Sequence, residues 1–140
     1  MSLTPFHLAL SVDDLEAARA FYSGVLACSE GRSAPRWVDF DLYGHQLSLH
    51  LADSVAGRTH NPVDGDSVPI PHFGVVLRWD DWVALRSRLE AAAVDFIVGP
   101  RVRFEGQPGE QATMFFSDPA GNMLEFKSFK DPARIFATEF

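Results

Sequence analysis

The sequence predicts an α+β fold in which two paired βαβββ modules form a curved, half-open mixed sheet around a cavity. Three observations carry that prediction. Phe6 to Val12 alternates strictly, with Phe6, Leu8, Leu10 and Val12 on one face and His7, Ala9 and Ser11 on the other, the period of a strand that buries one side. A helix signal follows directly: Asp13-Asp14 as a cap, then Leu15, Ala18, Tyr22, Val25 and Leu26 at helical spacing. The same order then starts again at His72. A repeat this long is a duplicated supersecondary unit rather than a solenoid.

The 140 residues, 46% of them hydrophobic, suit one well-packed soluble domain over 1–140. It divides into a first module at about 3–53, a connection at 54–70, a second module at about 71–128 and a C-terminal tail at 129–140. A net charge of −7 argues against nucleic-acid or anionic-membrane partners, which select basic surfaces. Cys28 is the only cysteine, so no intrachain disulfide forms and a reducing cytoplasm is the expected compartment. Met1-Ser2-Leu3-Thr4-Pro5 lacks a basic region followed by an apolar run, so no signal peptide is expected. No apolar stretch approaches the roughly 18 to 20 residues that span a bilayer.

After the first helix, residues 28–35 read as irregular. Trp37 to Phe40 reads as a strand, Asp41-Leu42-Tyr43-Gly44-His45 as a turn, and Gln46 to Leu51 as a strand with Leu47, Leu49 and Leu51 on one face and Gln46, Ser48 and His50 on the other. Residues 52–71 hold Gly57, Pro62, Gly65, Pro69 and Pro71, the composition of a long functional connection or crossover. His72 to Leu77 repeats the opening strand, and Asp80-Asp81-Trp82 starts a helix to about Ala93 with Trp82, Leu85, Leu89 and Ala92 as its apolar stripe. Val94 to Phe104 is strand-like, interrupted at Gly99-Pro100. Glu105 to Gly109 is a hairpin loop, and Gln111 to Phe116 a strand. Asp118-Pro119-Ala120-Gly121-Asn122 is a strong turn, and the strand after it alternates Leu124 and Phe126 with Met123, Glu125 and Lys127. One module cannot cover both faces of its own sheet, so two are expected to pair, with the helices outside and a cavity within.

Superimposing the halves puts His7 on His72 and Ser48 on Glu125, all on faces pointing away from the helices. Ala9 and Gly74, two positions after each histidine, leave space there. Two imidazoles and one carboxylate converging from separate strands make a facial ligand set with adjacent open positions, the arrangement suited to non-haem Fe(II) and O2. Mn(II), Zn(II) or Ni(II) could occupy the same ligands. Each residue alone is more often structural; the joint pattern favours a metal-binding cavity.

Phe6-His7-Leu8-Ala9-Leu10, Ala20-Phe21-Tyr22, Pro71-His72-Phe73-Gly74-Val75 and Asp118 through Phe126 together resemble the vicinal oxygen chelate superfamily, which includes glyoxalase I, fosfomycin and bleomycin resistance proteins and extradiol dioxygenases. The short single-domain form is most similar to extradiol-dioxygenase-like members. The resemblance implies paired βαβββ modules, a divalent metal on His7, His72 and Glu125, and a homodimer in which modules of two chains can share a site. Glyoxalase I usually adds a fourth protein ligand where Ser48 stands, and a serine hydroxyl is a poor divalent ligand. The extradiol enzymes are often longer, and their acid–base histidine has no counterpart by motif.

Other residues admit a bland and a functional reading. His50 shares a face with Ser48 and is a candidate acid or base, or a solvated rim histidine. Arg101 and Arg103 could bind an anionic substrate group, or pair with Glu105 or Glu110. Tyr43 is a candidate substrate contact in a turn. His45 and His60 are expected in solvent, Trp79 and Trp82 in packing, Cys28 as a buried thiol, and residues 130–136 as a short tail helix. The leading function is Fe(II)-dependent oxidative cleavage of a small catechol-like substrate. The alternatives are a non-oxidative glyoxalase- or thiol-transferase-like reaction on a divalent metal, and a small-molecule-sequestering resistance protein.

Overall fold

The computed structural model describes residues 3–55 and 57–139. Met1 and Ser2 of the N-terminal stretch, Ala56 of the connection and Phe140 of the tail lie outside the described residues. The chain is α+β and divides into two compact units: Met1–Gly57 with Asp118–Asn122, and Arg58–Ser117 with Met123–Phe140.

The first unit is a βαβββ module. Strand β1 (His7–Val12) leads into α1 (Leu15–Arg19), followed by β2 (Ser29–Ala34), β3 (Trp37–Leu42) and β4 (His45–Leu51). The sheet order is β1-β4-β3-β2, with β1 parallel to β4 and the other pairs antiparallel. Asp14 caps α1 by accepting from the Ala17 amide at 3.1 Å. The expected single α-helix to Leu26 instead widens into a π-helical turn over Ala20–Val25, with the Leu26 amide reaching back to Phe21 O at 3.0 Å. Phe21 and Tyr22 are both buried there, and Tyr22 lies against Phe40 with ring centroids 5.6 Å apart. Val38, Phe40, Leu42, Leu47 and Leu49 complete that core.

Residues 28–35 depart from expectation by forming β2. Its sequence is polar and its residues are nearly all exposed, so no apolar alternation announces it; pairing with β3 alone holds it at the sheet edge.

The second unit repeats the module as β7 (Val76–Leu77), α2 (Trp79–Ala91), β8 (Phe96–Arg103), β9 (Gln111–Ser117) and β10 (Met123–Phe129), in sheet order β7-β10-β9-β8. The strand expected from His72 is shortened to Val76–Leu77, with a single bridge from Phe73 to Leu124 before it. Trp82, Leu85 and Leu89 of α2 are buried, and the Trp82 indole donates to the Phe126 carbonyl at 2.9 Å. This fixes the apolar side of β10, formed by Leu124 and Phe126, under the helix. Glu125 and Lys127 therefore stand on the opposite side. Strand β8 carries the expected irregularity at Gly99, whose φ of 74° suits glycine and coincides with a shift in register against β9.

The connection is a further departure. Thr59–Val63 and Asp66–Ile70 pair as an antiparallel hairpin, β5 and β6, across Asp64-Gly65 with φ of 47° and 87°. The tail forms a single 3₁₀ turn at Pro132–Arg134 rather than a longer helix. Among the described residues, no helix is long and apolar enough to cross a membrane.

Candidate metal centre

The two parallel registers match. Ser48 lies opposite Ala9, two residues after His7. Leu124 bridges Phe73, which sets Glu125 beside Gly74, two residues after His72. Gly74 does more than leave space: a Cβ there would run into the Glu125 carbonyl oxygen, and that approach is closed by a 2.8 Å bond from the Glu125 amide to Phe73 O.

Within the second unit, His72 Nε2 faces Glu125 Oε1 at 3.2 Å. His72 Nδ1 lies 2.6 Å from the Pro69 carbonyl. A carbonyl only accepts, so Nδ1 carries a proton, and Nε2 is the ring nitrogen turned to the carboxylate. The other carboxylate oxygen, Oε2, accepts from the Thr113 hydroxyl at 2.6 Å. The His72 ring stands edge-on to Phe115 with centroids 5.0 Å apart. Both residues line a 230 Å³ cavity shared with Arg103, Thr113, Phe115 and Lys127.

Within the first unit, His7 Nδ1 lies 2.9 Å from Gln46 Oε1. Gln46 Nε2 faces Asp39 Oδ2 at 3.4 Å, and only the amide nitrogen can donate to a carboxylate, so Oε1 is left to accept from His7. His7 is thereby protonated at Nδ1 and presents Nε2, as His72 does. Ser48 Oγ donates to Asp39 Oδ1 at 2.6 Å. The serine is engaged with a carboxylate.

Residues 4–126 match the family described as the glyoxalase/bleomycin resistance protein/dioxygenase superfamily. The chain belongs to this superfamily. A superfamily member of that same description from Alicyclobacillus acidocaldarius is 32% identical, with 95% of this chain and 96% of that one covered and a TM-score of 0.76. The fosfomycin resistance protein FosX from Listeria monocytogenes is 21% identical, with 91% and 93% covered and a TM-score of 0.63. The lactoylglutathione lyase from Agrobacterium tumefaciens is 22% identical, with 92% and 96% covered and a TM-score of 0.61. These last two share the superfamily fold with this chain. Comparison with curated proteins gives no match.

In this superfamily member the spacing of His72 and Glu125 fits two adjacent positions around a divalent ion. A lone-pair nitrogen and a carboxylate oxygen facing each other need a cation or a proton between them. Ligands about 2.1 Å from an ion and at right angles stand about 3.0 Å apart, close to the separation of His72 and Glu125. Both histidines have Nδ1 held by an acceptor, the arrangement that orients metal-binding imidazoles. The structure brings His72 and Glu125 together and sets His7 on β1 of the other unit. Among the described residues, no group of three or more His, Cys, Asp or Glu in the chain is close enough to hold an ion.

The remaining candidates fall as follows. Arg103 lines the cavity, but its terminal nitrogens bind Asp64 Oδ2 at 2.8 Å and Asp66 Oδ2 at 2.6 Å, and Arg101 also pairs with Asp66. Hairpin aspartates take the place of the expected Glu105 and Glu110. His50 is exposed at the end of β4, opposite Trp37. Tyr43 sits in the β3–β4 turn at φ 50°. His45, expected in solvent, accepts from the Phe6 amide at 2.8 Å. Asp39, Gln46, Thr113 and Pro69 were not singled out from the sequence. Asp39 carried a usable signal, since it interrupts the apolar pair Val38 and Phe40 as Glu125 interrupts Leu124 and Phe126. Pro69 acts through its carbonyl, which no side-chain pattern reveals.

Proposed function

We propose that this chain is a metal-dependent enzyme in which His7, His72 and Glu125 hold a divalent ion, with Fe(II) as the leading metal. The reaction we assign is oxidative cleavage of a small catechol-like substrate with two vicinal oxygens. The observation that carries the reading is the His72–Glu125 pair: Nε2 stands 3.2 Å from a carboxylate oxygen, with Nδ1 held on the far side by the Pro69 carbonyl. A bound ion with three protein ligands would supply adjacent open positions for a chelating substrate and O2.

Ser48 supports the open set, because its hydroxyl donates to Asp39 instead of presenting a fourth ligand. In the same proposal a homodimer completes each site, with His7 from one copy and His72 and Glu125 from the other. The protein's own groups bind and orient: Thr113 turns the Glu125 carboxylate, and Phe115 supports the His72 ring. His50 is the assigned acid–base group and Tyr43 a substrate contact, both on exposed parts of the first unit.

The test is anaerobic purification followed by metal analysis and an oxygen-uptake screen with catechols. Stoichiometric metal in the wild type, lost in His7→Ala and His72→Ala, is expected. Metal-free wild-type protein, or unchanged content in His72→Ala, overturns the metal reading. Turnover in glutathione-dependent assays without oxygen uptake would replace the oxidative reading with the transferase one. Mixing His7→Ala with Glu125→Ala subunits should restore metal binding if the site is shared.

A further inference from the structure

The β5–β6 hairpin reaches the ion site through three separate contacts. Asp66 and Asp64 pair with Arg103. Val68, in the middle of β6, is buried in a cluster with Val98 and Phe115, and Phe115 is the ring against which His72 stands. Pro69, the next residue, gives His72 Nδ1 its acceptor at 2.6 Å.

An isolated two-stranded hairpin is marginal in water, so its anchors decide where its backbone lies. The anchors here differ in strength. Arg101 is 44% exposed, and a pair at that exposure contributes little. Arg103 and Asp66 are only 13% and 15% exposed, so removing Arg103 leaves the Asp66 charge largely removed from water with only the more exposed Arg101 beside it. Asp66 and Pro69 belong to one paired strand, whose extended backbone transmits a displacement at one to the other.

We propose that Arg103 is a positioning residue: by clamping the hairpin through Asp66 it holds the Pro69 carbonyl on His72 Nδ1 and so presents Nε2 to the ion. The consequence for the ion rests on the metal reading above; the consequence for the His72 tautomer does not. The competing role, direct contact between Arg103 and an anionic substrate, makes the opposite prediction, since it would leave the empty protein's histidine untouched.

The test uses the full chain with Arg103→Met and Arg103→Lys. Nitrogen-15 NMR of the histidine-labelled, metal-free protein reads the His72 tautomer, and titration with Mn(II) alone reads affinity. Wild type should show one tautomer, protonated at Nδ1. Arg103→Met should show a mixture and bind Mn(II) about 10- to 100-fold more weakly, the usual effect of losing an outer partner of a ligand. Arg103→Lys, which keeps a charge on Asp66, should recover part of both. If Arg103→Met does not fold, the double variant Asp64→Asn with Asp66→Asn withdraws both carboxylate charges from Arg103 and carries the same expectation. An unchanged tautomer with Mn(II) affinity within twofold of wild type overturns the proposal, and a raised KM in that variant would assign Arg103 to substrate. A wild type that binds no Mn(II), but whose tautomer still answers to Arg103, removes the metal reading and leaves this one standing.

Discussion

The Tyr22 hydroxyl donates to Asp118 Oδ2 at 2.8 Å, joining residues 96 positions apart in the sequence. Asp118 is itself buried and also accepts from the Ala120 and Asn122 amides and from the Asn122 side chain. Burial, reinforced by the Asp118 charge, pushes the tyrosine well above the usual value of about 10. Below that value both the folded and unfolded chains keep the phenol proton, and the bond contributes fully. Above it the unfolded chain ionises while the folded one resists, so stability falls. Denaturant melts should therefore show wild type losing stability from about pH 10 upward, and Tyr22→Phe losing less over that range. At neutral pH Tyr22→Phe should cost about 1.5–3 kcal/mol, the worth of a hydrogen bond to a charged group.

Thr113→Val keeps shape and removes the hydroxyl that orients Glu125 Oε2. The variant should remain folded and bind Mn(II) about tenfold more weakly by titration, because the carboxylate loses the partner that fixes its rotation.

Gln46→Leu removes the acceptor on His7 Nδ1 and separates His7 from Asp39. Nitrogen-15 NMR should show His7 losing its single tautomer, and metal affinity should fall about 10- to 100-fold, while His72 keeps its own. Ser48→Ala on the same face should change metal affinity by less than about twofold, since its hydroxyl is not offered as a ligand.

Gly74→Ala drives a methyl into the Glu125 carbonyl, which lies on the backbone and cannot rotate away. The variant should lose about 3 kcal/mol or more in denaturant melts, because β10 must move to admit it. Any folded fraction should bind metal poorly.

Most of the fold was legible because its signals are periodic. The alternation in β4 and β10 and the stripe on α2 place buried faces as expected, whereas in the opening strand Phe6 is exposed, Leu8 and Leu10 are half-buried and only Val12 is buried. The two halves share the parallel register that aligns Ser48 with Glu125. What escaped was structure without apolar periodicity. Strand β2 exists because β3 offers an edge, and the 59–70 hairpin because Val68 finds Phe115 and the aspartates find arginines. Asp64-Gly65 was the one local hint of that hairpin. The histidine and glutamate of the second unit could be named from their place in the repeat. Their partners could not, since a backbone carbonyl and a diagonal threonine become neighbours only through tertiary structure.

The turn at Asp118–Asn122 groups with the first unit, although the strands on either side of it belong to the second. Its anchors are the Tyr22 hydroxyl and the Ser11 carbonyl, which accepts from the Asn122 side chain at 2.9 Å. The repeat boundary is therefore not a place where the polypeptide can be cut. A fragment starting at residue 58 would inherit a complete hairpin of strands whose connecting loop had lost its moorings and kept a carboxylate meant for burial. Duplication of the sequence has not left the second copy self-sufficient; the loop leading into β10 is anchored on residues of the first.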